Sequence, residues 1–127
     1  RLGRDGQSVS MASYRAHTQD YIRVARILLD AAEPLAAQPA PAGRDLLLVQ
    51  RARDVAQYLI ELYLRFPPDR ETGLALRRYD EMLCQTYPHI AAMMTNKNTR
   101  LLRAGRYLPY RTLSAWARGK QSNGGIL

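Results

Sequence analysis

Prolines cut this chain into pieces, and their positions limit every fold it can adopt. Pro34, Pro39 and Pro41 cluster in residues 34–43 (PLAAQPAPAG), Pro67 and Pro68 form a pair, and Pro88 and Pro109 stand alone. A proline inside a helix removes a backbone donor and clashes with the preceding turn, so the intervals between prolines set the element lengths. Within those intervals apolar residues recur at helical spacing. Tyr14, Tyr21, Ala25, Leu28 and Ala32 form one stripe over residues 11–33, with Ile22 and Leu29 beside it. Ser8 or Ser10 is positioned to cap that helix. Leu46–Val49 is an apolar run that reads as a short strand or a helix start. From Gln50 a second helix carries Ala52, Val55, Ala56, Leu59, Ile60, Leu62, Tyr63 and Phe66 on a broad apolar face, and Pro67-Pro68 ends it. Asp69 or Thr72 opens a third, with Leu74, Leu76, Tyr79, Met82, Leu83 and Thr86 inward and Arg77, Arg78, Asp80 and Glu81 mostly outward.

The region after Pro88 reads differently. Ile90, Met93 and Met94 form a short apolar group in which the methionines are core filler. Residues 95–99 (TNKNT) read as a turn, 100–108 as a strand broken by Gly105, and 112–116 as a weaker strand or a helical turn. The expected fold class is therefore α+β: a helix-dominated compact domain with a small C-terminal sheet and basic extended tails. Residues 1–10 are expected to be an irregular N-terminal basic arm, 11–118 a single domain with a Pro/Ala-rich insertion at 34–43, and 119–127 an extended tail.

At 127 residues the chain fits one domain. No apolar run reaches the length of a membrane span. The single Cys84 forms no internal disulfide, and no cysteine–histidine cluster offers a zinc site. Cys84 falls on an apolar helix face and is expected to be buried rather than reactive. His17 and His89 are isolated, and there is neither a phosphate-binding glycine loop nor a nucleophile elbow. Nothing specific supports catalysis, a metal, a cofactor or a small-molecule substrate.

Charge is the informative property. The formal net charge is +8, and residues 96–127 contain seven basic residues and no acid. A segment of one sign repels itself and favours a polyanion. Aromatics are interleaved there, at Tyr107, Tyr110 and Trp116. Arginines outnumber lysines heavily: 17 of the 19 basic residues are arginine. Guanidinium forks match phosphates, and both guanidinium and aromatic planes stack on bases. A GC-rich genome also raises arginine content, but it does not remove acids from one end. Arg15, Arg23 and Arg26 lie off the first stripe, where a solvated face and phosphate contact are equally good readings.

Three segments in order, QRARDVAQYLIELYLR, LALRRYDEMLCQTYPHIAAMM and NTRLLRAGRYLPYRTLSAW, resemble the bacterial-type large-subunit ribosomal protein family numbered seventeen. Leu2-Gly3-Arg4 is similar to that family's basic arm, and residues 11–33 to its first helix. Arg51-Ala52-Arg53-Asp54 is similar to its Lys-Ala-Lys-Glu-like helix opening, and Thr99-Arg100-Leu101-Leu102-Arg103 to its Thr-Arg strand. Asn96-Lys97-Asn98 stands in place of its Gly-Gly-Tyr segment, and residues 34–43 stand as an insertion; a divergent mitochondrial member accounts for both. The resemblance implies a structural protein of the large ribosomal subunit, bound to ribosomal RNA beside neighbouring ribosomal proteins in the mitochondrial matrix. Combined with the charge, it implies an RNA-binding set of Arg4, Arg15, Arg23, Arg51, Arg53, Lys97, Arg100, Arg103, Arg106, Tyr107, Arg111, Trp116, Arg118 and Lys120. Two other readings stand beside it. One is a helix-turn-helix DNA-binding protein with its turn near Gly105, although Pro109 falls where the recognition helix would begin. The other is a soluble accessory subunit of a respiratory complex.

Overall fold

The computed structural model describes the backbone of residues 2–126 and the side chains of residues 16–119. Among the described residues the elements are α1 (Leu2–Ala36), α2 (Arg44–Arg65), α3 (Arg70–Thr86), α4 (Pro88–Ala92), α5 (Lys97–Ala104) and α6 (Tyr110–Ile126). The chain is all-α over this range, and the expected C-terminal sheet is absent. Residues 100–104 (RLLRA) are good helix formers. Thr99 and Leu102 are both buried, three residues apart, so this segment follows a helical rather than a two-residue period.

Both ends also differ from expectation. Residues 2–10 belong to α1 instead of forming an irregular arm, and residues 119–126 belong to α6 instead of an extended tail. No proline occurs before Pro34, so nothing stops α1 from starting early. Pro34 itself lies inside α1, close enough to its end to remove little of the hydrogen-bond ladder. Leu46–Val49 is helical, because α2 begins at Arg44 behind Gly43, whose φ of 60° suits glycine.

The other boundaries follow local chemistry. Phe66 turns extended before Pro67-Pro68 and ends α2. The Asp69 carboxylate accepts from the Thr72 N–H at 2.7 Å and opens α3. Pro88 occupies the first turn of α4, where its missing donor costs nothing.

Helix α2 is the axis of the fold and touches α1, α3, α4, α5 and α6. Its buried face carries Val49, Ala52, Ala56, Leu59, Ile60, Tyr63 and Leu64. Helix α1 packs against it through Ala25, Leu29 and Ala32. The α1 stripe is rotated from the expected one: Leu28 is half-buried and Tyr21 half-exposed, while Tyr14 lies outside the described side chains. Leu74 and Thr86 are likewise exposed, whereas Leu76, Tyr79 and Leu83 are buried as expected.

Polar bonds fasten the outer helices to this axis. The Tyr79 hydroxyl donates to the Ala56 carbonyl at 2.9 Å, the Ser114 hydroxyl to the Leu64 carbonyl at 2.9 Å, and the Thr99 hydroxyl to Gln57 Oε1 at 2.7 Å. On the other side, Glu33 of α1 accepts the backbone N–H groups of His89 and Ile90, each at 3.0 Å, and pairs with the His89 ring. Its carboxylate thus fills the positive end of α4. The Tyr87 hydroxyl donates to Asp30, and Arg26 Nε donates to that hydroxyl at 3.4 Å.

Burial raises the proton affinity of four tyrosines. Desolvation pushes up Tyr63, Tyr79, Tyr87 and Tyr107; hydrogen bonds to Asp30 and Asp80 add to this at Tyr87 and Tyr107 respectively. The folded chain keeps these protons where the unfolded chain releases them, above about pH 10. Their contribution to stability is intact below that pH and is lost as pH rises further. The melting temperature in a Cys84→Ser background is therefore expected to hold up to about pH 10 and then fall, with Tyr79→Phe and Tyr107→Phe each flattening the fall. An alkaline limb of unchanged slope in both variants would contradict this.

Candidate nucleic-acid interface

The acid-free segment forms the loop before α5, helix α5, the Gly105–Pro109 connection and α6. Lys97, Arg100, Arg106, Arg111 and Arg118 are exposed along it. Lys97 and Arg100 share one side of α5 and line a recess of about 400 Å³ with Thr95, Leu101 and Ala104. Lys97 Nζ also lies 4.9 Å from the centroid of the Trp116 ring, which is 63% exposed. That contact joins the start of α5 to α6 and holds a cation over an accessible aromatic face. A second recess of about 400 Å³ lies beside this pair, lined also by Glu61, Asn96, Asn98 and Ala117. Glu61 accepts from Asn98 Nδ2 at 3.2 Å and from Gln57 Nε2 at 3.1 Å, so its charge is partly taken up.

The connection from α5 to α6 is held tightly. Arg106 and Tyr107 have φ of 51° and 67°, left-handed values unusual for residues other than glycine. The Tyr107 N–H donates to the Leu102 carbonyl at 2.7 Å, and the Leu108 N–H to the Gly105 carbonyl at 3.0 Å. A Cβ on Gly105 would stand 2.7 Å from Pro109 Cδ, so this close turn requires glycine. Leu108 is left 88% exposed, between Arg106 and Arg111.

What holds the turn is a buried cluster centred on Asp80. Arg103 donates from Nη2 to Asp80 Oδ1 at 2.7 Å and from Nε to Oδ2 at 3.0 Å. Its Nη1 donates to the Ala91 carbonyl at 2.8 Å, and the Tyr107 hydroxyl donates to Asp80 Oδ2 at 2.7 Å. Burial pulls the Arg103 guanidinium down, but the adjacent Asp80 carboxylate outweighs it, and the net direction is up. Asp80, expected outside, is thus 1% exposed and is the chief ionic partner of α5. Arg103 and Tyr107, expected to meet RNA, are turned inward to it. Cys84, expected to be buried, is exposed. Partial desolvation and Asp80 push its thiol up, which reduces its thiolate fraction.

The remaining candidates are scattered. Arg23 is exposed on α1, with Asp20 3.7 Å away. Arg53 donates to Asp54 at 3.2 Å. Arg51 lines an apolar groove between α1 and α2. The side chains of Arg4, Arg15 and Lys120 lie outside the described residues. Of the expected set, the structure therefore brings together Lys97, Arg100 and Trp116. Arg106 and Arg111 flank the α5–α6 turn, and Arg118 lies farther along α6, its Nε 3.4 Å from the Ser114 carbonyl.

No group of three or more potential metal ligands occurs among the described residues, and among them no helix is long and apolar enough to cross a membrane. Fold and site together define an all-α domain with a basic C-terminal helix pair. No family model matches the chain, and no similar curated protein or solved structure was found.

Proposed function

We propose that this chain is a non-catalytic nucleic-acid-binding protein that uses α5, the 105–109 turn and α6 against a phosphate backbone. The observation that carries this reading is the exposure of Lys97, Arg100, Arg106, Arg111 and Arg118 on a segment without a single acid. Trp116 and its cation supply a stacking surface of the kind that accepts any base. The sequence resemblance narrows the target to large-subunit ribosomal RNA in a mitochondrion. With α5 helical where that family's strand was expected, this narrower form keeps only the charge pattern as support. A DNA duplex is the second reading, favoured by two successive helices across a short turn.

The test is a filter-binding titration against an RNA stem-loop and a DNA duplex over a salt series. Each phosphate contact adds about 0.9 to the steepness of log K against log salt on duplex DNA. Replacing Lys97, Arg100, Arg106 and Arg111 together by alanine is expected to flatten the slope by roughly 3–4 on the preferred target, with circular dichroism unchanged. A salt-independent affinity, or a slope untouched by the four substitutions, would overturn the reading.

A further inference from the structure

The outer flank of the α1–α2 pair is a separate surface. On its side of these two helices the exposed large apolar side chains are Tyr21, Val24, Leu47, Val55 and Tyr58. A groove of about 460 Å³ runs between the helices there, lined by Leu28, Arg44, Leu47, Leu48, Arg51 and Val55. Val24 extends the α1 wall by one turn before Leu28, and Tyr58 extends the α2 wall by one turn after Val55. From Arg44 to Tyr58 the wall is roughly 21 Å long, four turns of a helix.

The lining indicates what lies there. Its floor is aliphatic and its charged members are both guanidinium groups, Arg44 and Arg51. The nearby carboxylate of Asp54 is turned to Arg53. A second copy docking groove to groove would set Arg44 and Arg51 against their own counterparts. A nucleic acid would meet the arginines but gain nothing from the leucine and valine floor. An amphipathic helix with aliphatic residues on one side and carboxylates along its edges satisfies both. We infer that the α1–α2 groove docks an acidic amphipathic helix of about four turns from a partner protein, in the helix-in-groove mode. This surface is distinct from the basic helix pair and does not depend on the nucleic-acid reading.

The experiment uses the whole chain and two fluorescein-labelled peptides of about 16 residues with leucines at the same helical spacing. One carries glutamates at the flanking positions and the other lysines. The glutamate peptide is expected to bind at least about tenfold tighter. Arg44→Glu with Arg51→Glu is expected to invert that preference. Val55→Asp is expected to weaken both peptides, and because Val55 is exposed it leaves the fold intact by circular dichroism. Binding of neither peptide, or binding indifferent to these substitutions, would overturn the inference. So would light scattering that finds a dimer converted to monomer by Val55→Asp, or competition by an RNA that Val55→Asp leaves unaffected.

Discussion

Asp80→Ala is expected to destabilise the domain by about 3–5 kcal/mol, because it leaves the Arg103 guanidinium without its carboxylate in a partly buried place. Asp80 is almost fully buried and takes hydrogen bonds from both Arg103 and Tyr107. A domain of this size has only about 5–15 kcal/mol of stability in total. The melting temperature should therefore drop by roughly 10–20 °C. The double replacement Asp80→Leu with Arg103→Met is expected to recover much of the loss, since an apolar pair removes both desolvated charges. A cost below about 1 kcal/mol for Asp80→Ala would mean that water reaches Arg103 freely. The same variant has a local consequence. Tyr107 loses its acceptor, and the left-handed turn at Arg106 and Tyr107 loses the clasp that offsets its strain. Amide exchange should rise first at residues 105–108, ahead of α2.

Leu59→Asp is expected to abolish the folded state. Leu59 is 1% exposed at the centre of α2, the helix against which the others pack. The change removes a buried leucine side chain, worth about 2–5 kcal/mol. It also introduces a carboxylate with no partner, which costs several kcal/mol more unless it takes up a proton. The sum reaches the whole stability of such a domain. Leu74→Asp is the control. Both leucines belong to apolar stripes in the sequence, yet Leu74 is exposed on α3 and its replacement should cost no more than about 0.5–1 kcal/mol. Equal effects at the two positions would mean that the α2 and α3 faces are wrongly assigned. A cooperative melt for Leu59→Asp near the wild-type temperature would do the same.

These two pairs show where sequence reasoning reaches and where it stops. Helices α2 and α3 were legible because a long apolar period, a proline stop and an aspartate cap agree with one another. Leu59 belongs to the broad face that such a period marks, whereas Leu74 sits at the edge of its stripe, where burial depends on what packs alongside. Asp80 was misread for a different reason. A carboxylate among arginines on a helix looks like a surface charge, and its partner Arg103 lies 23 residues away on an element the sequence did not show as a helix. The C-terminal segment was misread because cations, a glycine and a proline interrupt its apolar period. The helical state of α5 is decided by Thr99 and Leu102 docking on α2. The same docking turned Arg103 and Tyr107 inward while leaving Lys97, Arg100 and Arg106 exposed.

By itself the sequence determined the charge asymmetry, the breaks at Pro67-Pro68 and Pro88, and the two central amphipathic helices. Those properties are local, fixed by residue type and spacing within a few turns of chain. The tertiary structure alone decided which cations face solvent, that Asp80 is buried, and that a guanidinium-edged apolar groove remains open between α1 and α2. Each of these depends on side chains far apart in sequence competing for the same contacts, and no period along the chain records who wins.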